Sequence, residues 1–129
     1  MSLHTIQIDV RDYECDMQGI VNNAVYQNYL EHARHTFLKA KGLDFAEITQ
    51  QGIHLVVMRA EIDYKAPLKS GMTATVSTEP EKVSRFKFAF NQQIHCADTG
   101  KLMINAHFIV ASISERGKPV EFKDASRLF

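Results

Sequence analysis

The 129-residue sequence has no tryptophan, no net charge, only two cysteines and no long apolar run. Each lack removes a class of function. Lys+Arg and Asp+Glu both number 15, so nothing general draws the chain to nucleic acid or to an anionic membrane. A local basic patch is still compatible with that sum. No apolar stretch approaches the ~18 residues that span a bilayer, so no membrane insertion is expected. Cys15 and Cys96 allow at most one disulfide. After Met1-Ser2 the chain runs straight into an alternating segment, without a secretory leader pattern. Reduced thiols in a cytoplasmic protein are therefore expected. There is no internal repeat or low-complexity linker, and the length suits one domain, 1–129, around one core. The 45% apolar and 23% charged content is that of an ordinary globular chain.

Periodicity divides the chain. Residues 4–11, HTIQIDVR, alternate strictly and put Ile6, Ile8 and Val10 on one face of a strand. From Asn23 to Lys41 the spacing turns helical through Tyr26, Tyr29, Leu30, Ala33 and Phe37. Asn22 or Asn23 supplies an N-cap, and Gly42 sits where a left-handed C-terminal cap belongs. Residues 44–52 predict a short second helix, capped by Asp44 and stopped at Gly52. After that the chain reads as strands. His54, Val56, Met58, Ala60, Ile62 and Tyr64 are expected on one face. The opposite face starts apolar (Ile53, Leu55, Val57) and ends charged (Arg59, Glu61, Asp63), which suggests a subunit contact. Met72, Ala74 and Val76 alternate with polar residues. Phe86, Phe88, Phe90, Ile94 and Cys96 share a face, as do Leu102, Ile104, Ala106, Phe108 and Val110. Asp98-Thr99-Gly100 is a hairpin turn signal, and Gly117-Lys118-Pro119 ends the last strand. Hairpin-linked strands with one apolar face form an antiparallel sheet, and the only long amphipathic element available to cover it is the helix. The fold class is α+β, one long helix wrapped by a curved antiparallel sheet.

The stretch DMQGIVNNAVY, Asp16 to Tyr26, sets a carboxylate ahead of the helix start. The first amides of a helix have no intrahelical partner and carry partial positive charge, so they can hold a developing oxyanion. Gly19 lets the loop approach a ligand closely. A carboxylate facing a polarised carbonyl is half of an acyl-transfer site. Spacing alone is better served by a loop or capping acid. Cys15 points to the opposite side of an extended segment from Asp16, and Cys15 and Cys96 read as small packed residues.

The longer stretch YECDMQGIVNNAVYQNYLEHAR resembles the signature of the 4-hydroxybenzoyl-CoA thioesterase family, of the hotdog fold. IDYKAPLKSGM and EKVSRFKF are similar to later blocks of that family. The resemblance implies an acyl-CoA thioesterase with Asp16 as base or nucleophile. It implies that the Asn23 N–H binds the thioester carbonyl, that Gly19 is the turn glycine, that Asn22 shapes the loop and that Tyr26 packs beneath the site. Ile20 stands where part of the wider family has histidine, so an Asp/Asn/His mechanism is not implied. The resemblance further implies a homodimer with shared active sites, pairing again into a homotetramer. No metal and no redox cofactor are implied; coenzyme A is part of the substrate.

Lys82, Arg85 and Lys87 cluster around a predicted turn. Coenzyme A carries a 3′-phosphate and a diphosphate that suit such cations, although a merely soluble hairpin would look the same. Lys82, Ser84 and Arg85 join the substrate-binding set, with Arg59 a further candidate. His32 and His35 stand three apart on the helix without a third ligand, so they read as surface or interface. His54 shares the apolar strand face and could line the pocket. Glu31 and Arg34 read as a helix-surface ion pair. Two other functions fit the same fold: a hydratase or dehydratase of acyl thioesters, and a non-catalytic acyl-CoA-binding module. The first lacks the expected loop histidine; binding without turnover would expose the second.

Overall fold

The computed structural model describes residues 3–129; the first two residues of the expected domain lie outside the described residues. In chain order the elements are β1 (His4–Asp9), α1 (Asn23–Ala40), α2 (Phe45–Gln50), β2 (His54–Tyr64), β3 (Thr73–Lys82), β4 (Lys87–Cys96) and β5 (Leu102–Ile113). Short 3-10 turns lie at Asp12–Glu14 and Lys123–Leu128. The five strands form one curved antiparallel sheet in the order β1-β3-β4-β5-β2.

The helix forms as its pattern predicts. Asn22 caps it, its side chain accepting from the Ala24 N–H at 3.0 Å. Gly42, at φ +79°, ends it. Its apolar stripe packs onto one face of the sheet, where Val76, Phe90, Ile104 and Phe108 complete the core. α2 forms within the expected bounds, but the Asp44 side chain makes no capping bond. The Asp44 carbonyl receives the Ile48 N–H instead.

Consecutive strands are not all neighbours. β2 pairs with β5 at one edge, and β3 lies two strands beyond. Residues 65–72 therefore carry the chain across the sheet end and past the start of α1.

A bulge overturns the expected facing of β2. Val57 pairs with Val110 and Arg59 with Ile109, leaving Met58 without a partner. One extra residue reverses the inward-outward alternation from there on. Beyond the bulge, Ala60, Ile62 and Tyr64 stand opposite Phe108, Ala106 and Ile104, on the helix side. Before it, Leu55 and Val57 are the helix-side residues. His54 and Val56 pair with Ile113 and Ala111 on the outer face, so His54 does not line a pocket under the helix. Of the leftover apolar half-face, Ile53 and Leu55 pack against the core, while Val57 stays 47% exposed at the sheet edge.

Candidate active site

Asp16 sits at the tip of a tight hairpin. Its N–H donates to the Ile20 carbonyl at 2.8 Å, and the Gly19 N–H donates to the Asp16 carbonyl at 2.9 Å. Cys15 pairs with Val21, closing the two arms. Gly19 has φ +79°, with nothing near a would-be Cβ. The turn, and not crowding, is what selects glycine here. The Asp16 Oδ1 accepts from the Gln18 N–H at 2.9 Å, which fixes the carboxylate orientation. Its Oδ2 has no partner among the described residues. Asp16 is exposed while Cys15 is half-buried against the core, so the two face opposite ways as extended backbone requires. Cys15 and the buried Cys96 are free thiols.

The hairpin delivers the chain to the helix start. The Asn22 side chain takes the Ala24 N–H, and the Asn22 carbonyl takes the Val25 N–H at 2.9 Å. The Asn23 N–H is left without a partner among the described residues. It stands at the positive end of an 18-residue helix. Asn22→Ala is expected to lower the unfolding free energy by about 1 kcal/mol, read from the denaturant midpoint, with Asn22→Asp restoring it.

Two further residues hold this end together. Tyr26 is buried; its hydroxyl accepts from the Leu68 N–H at 2.8 Å, and its ring meets Tyr64 edge-on at 5.6 Å. Val21 N–H donates to the Leu68 carbonyl, so the 65–72 crossover is tied to both the hairpin and the helix. Glu14 does more than its place as the first acid of the motif foretells. It accepts from the Tyr29 hydroxyl at 2.6 Å and from the Arg11 N–H at 2.8 Å, and its carbonyl accepts from the Asn22 N–H. Burial and the Glu14 bond push the Tyr29 pKa up. The acid two residues ahead of Asp16 was the signal available for this role. Ile20 bridges to Lys69 and holds the hairpin's returning arm.

The basic residues lie elsewhere. Lys82, Ser84 and Arg85 line a cavity of about 630 Å³ with Phe86, Phe122 and Lys123. Arg85 pairs with Glu121 at 3.2 Å. The Lys123–Leu128 turn that walls this cavity touches the far end of α1, where Arg127 donates to the Gly42 carbonyl. Eighteen helical residues span about 27 Å, so a single chain does not bring Lys82, Ser84 and Arg85 together with Asp16 and Asn23. Arg59 joins neither group: it is on the outer sheet face, paired with Glu61 at 3.3 Å. Nor do Glu31 and Arg34 form the expected surface pair. Arg34 is buried and bonds Gln92 at 3.1 Å. His35 stacks obliquely on Phe45 at 4.9 Å, and His32 is exposed.

Comparison with known proteins places this architecture. The model of the thioesterase-like superfamily matches residues 10–127. A chloroplastic acyl-acyl carrier protein thioesterase of Arabidopsis thaliana is 41% identical over 91 residues, 70% of this chain and 48% of that protein. A putative acyl-CoA thioesterase of Bacillus subtilis is 34% identical over 122 residues, 92% of this chain and 86% of that protein. The chain spans about half to two thirds of the length of the two Arabidopsis relatives it matches. The crystal structure of a 1,4-dihydroxy-2-naphthoyl-CoA thioesterase from Synechocystis superposes with a TM-score of 0.91 at 20% identity, over 97% of this chain and 93% of that one. The fold is thus shared well beyond the reach of sequence identity. With its helix wrapped by a five-stranded antiparallel sheet, the chain belongs to the thioesterase-like superfamily and has the hotdog fold.

Proposed function

We propose that this protein hydrolyses acyl thioesters to a free acid and a thiol. The observation that carries this reading is the unpartnered Asn23 N–H at the positive end of α1, directly after a hairpin that presents Asp16. A thioester carbonyl bound there has its oxygen on the Asn23 N–H, which stabilises the oxyanion as it forms. The Asp16 Oδ2 takes a proton from a water, whose oxygen attacks the carbonyl carbon. The tetrahedral intermediate then collapses and breaks the C–S bond, and the proton held on Asp16 passes to the departing sulfur, releasing the thiol and restoring the carboxylate. Direct attack by Asp16 would give a mixed anhydride that water opens; the same two residues serve either route. Gly19, Ile20 and Asn22 shape the loop against the substrate, and Tyr26 supports it from below. The reaction needs no metal or redox cofactor. The motif from Asp16 to Tyr26 supports kinship with the 4-hydroxybenzoyl-CoA branch in particular.

The thiol is coenzyme A or an acyl-carrier protein, since relatives are named for each. The cationic cavity around Lys82, Ser84 and Arg85 suits the nucleotide phosphates of coenzyme A. Replacing Lys82 and Arg85 together with alanine is expected to raise KM for an acyl-CoA roughly tenfold with kcat kept, the worth of one lost charge-assisted contact. Arg59 has no such support. Two chains per working unit follow from this reading, because the cationic cavity and the Asp16 hairpin stand at opposite ends of α1. The edge strand β2, with Val57, Met58 and Tyr64 exposed, is a surface through which a homodimer would form. A homotetramer would pair two such dimers through another face. Residence in the cytoplasm agrees with the two free thiols. No helix among the described residues is long and apolar enough to cross a membrane.

Thiol release from a panel of aromatic, short and long acyl-CoAs, and from the matching acyl-carrier proteins, tests the activity. Turnover of any member is the expected result. Binding of these thioesters with no turnover would sink the hydrolase and leave a binding module.

A further inference from the structure

Hydrolysis as described above needs two groups held at a fixed offset, the Asp16 carboxylate on the hairpin and the Asn23 N–H on α1. A misplacement of about 1 Å costs on the order of a hundredfold in rate. Asp16 is exposed, and its carboxylate is fixed only within its own turn, by the Gln18 N–H. The tie between hairpin and helix lies two residues earlier, at Glu14.

Glu14 holds three parts of the chain at once. Its Oε1 accepts from the Arg11 N–H at 2.8 Å, which closes the Asp12–Glu14 turn, and from the Tyr29 hydroxyl at 2.6 Å. Its carbonyl accepts from the Asn22 N–H at 3.0 Å. Asn22 is the helix cap, directly before Asn23. One residue thus anchors the outgoing arm of the hairpin to the body of α1 and the returning arm to its start. Tyr29 is the firm end of this tie. It stands six residues beyond Asn23, about 9 Å along the helix, and is buried at 4% exposure. Among the described residues, its bond to Glu14 is the only side-chain hydrogen bond from residues 11–18 to α1.

A local capping acid would need only the Arg11 N–H and could keep its water. The Glu14 side chain instead gives up most of its hydration, at 11% exposure. The Arg11 guanidinium, 3.5 Å from Oε2, is 55% exposed and repays little of that. The Tyr29 bond repays more: an O–H···O⁻ bond of this length is roughly twice as strong as a neutral one. Burial, and after it the bond to Glu14, raise the Tyr29 pKa. The proton therefore stays on the tyrosine, which donates while Glu14 accepts.

We propose that Glu14 is a positioning residue: through Tyr29 it sets the offset between the Asp16 carboxylate and the Asn23 N–H, and so governs kcat rather than KM. The effect on kcat rests on the thioester hydrolysis proposed above; the anchoring of the hairpin does not. Tyr29 and Arg11 occupy the Glu14 carboxylate, which takes no part in the chemical step.

Amide hydrogen exchange followed by NMR, together with thiol release from acyl-CoAs, tests this on the full chain. Tyr29→Phe keeps the ring and removes only the hydroxyl. It is expected to speed exchange of the Asp16 and Asn22 amides at least tenfold, while Ile94 and Ile104 in the middle of the sheet stay as they were. Counted per folded molecule, kcat should fall about tenfold at constant KM. Glu14→Ala should do the same, and the double variant should be no worse than either single one, because both remove one contact. Glu14→Gln keeps an oxygen for both donors and is expected to restore the protection and most of kcat. Unchanged exchange at Asp16 and Asn22 in Tyr29→Phe would overturn the proposal, and this variant decides it alone if Glu14→Ala does not fold. Faster exchange throughout the sheet would also overturn it, since the pair would then be an ordinary stabilising contact. So would a rise in KM with kcat kept. A wild type that hydrolyses no thioester would remove the effect on kcat along with the hydrolysis itself, and exchange would still decide whether Glu14 anchors the hairpin.

Discussion

Asp16→Asn is expected to lower kcat for thioester hydrolysis by a factor of about 100 or more, the usual worth of a positioned acid–base group. KM and the melting temperature should barely move. The substitution is well matched to the site. Asparagine keeps the Oδ1 that accepts from the Gln18 N–H, so the hairpin turn survives. It replaces the unpartnered Oδ2 by an amide that can neither take a proton from water nor attack a carbonyl. A fall in kcat alone assigns Asp16 to the chemical step. Full retained activity would remove Asp16 from the mechanism while leaving the fold untouched. A rise in KM at constant kcat would make it a binding residue. Thiol release under saturating and limiting acyl-CoA separates the three results.

Phe37→Ala should be the most damaging single substitution in the core, at about 3–5 kcal/mol. The ring is fully buried and sits where α1 meets the sheet. It meets Phe90 edge-on at 5.9 Å and His4 at 5.6 Å, and the Lys41 ammonium lies 5.7 Å from its centre. Backbone on both sides holds these neighbours in place, so the vacated space cannot close. Denaturant unfolding measures the loss. Phe37→Leu, which keeps most of the volume, should lose much less. Phe37 stands near the end of α1 remote from Asn23, so turnover per folded molecule should persist at low temperature. A mutant with native stability would mean that the helix can settle onto the sheet without this ring.

Local features were legible and non-local ones were not. The bounds of α1 follow from one asparagine, one glycine and a period, all encoded within the segment. The hairpin at Asp16 was legible as a motif, because its turn glycine and its cap lie within seven residues of the acid. Sheet order was not legible. Alternation says which residues share a face, but not that β2 crosses to the β5 edge, since pairing depends on contacts far apart in sequence. Arg34 was misread through its charge alone. It stands four residues after Leu30 and three before Phe37, on the buried stripe, and its spacing already pointed inward. The long side chain reaches Gln92 from there. Glu14 was assigned no role because its partner, Tyr29, lies fifteen residues on.

Met58 behaves like a frameshift written into the folded chain. Deleting it would shorten β2 by one residue and keep both flanks in their present register, with Val57 opposite Val110 and Arg59 opposite Ile109 on a regular strand. Adding or removing one residue elsewhere in β2 would instead make every residue on one side of the change exchange inside for outside. Either Leu55 and Val57 would turn to solvent while His54 and Val56 entered the interior, or Tyr64 would leave Tyr26 as Asp63 took its place. Length changes are thus tolerable in the turns of this protein and at Met58, and ruinous elsewhere along β2. Two homologues of equal β2 length but with the unpaired residue at different places would line the space under the helix with different side chains. Moving that residue along the strand is therefore a way to change pocket chemistry without changing composition.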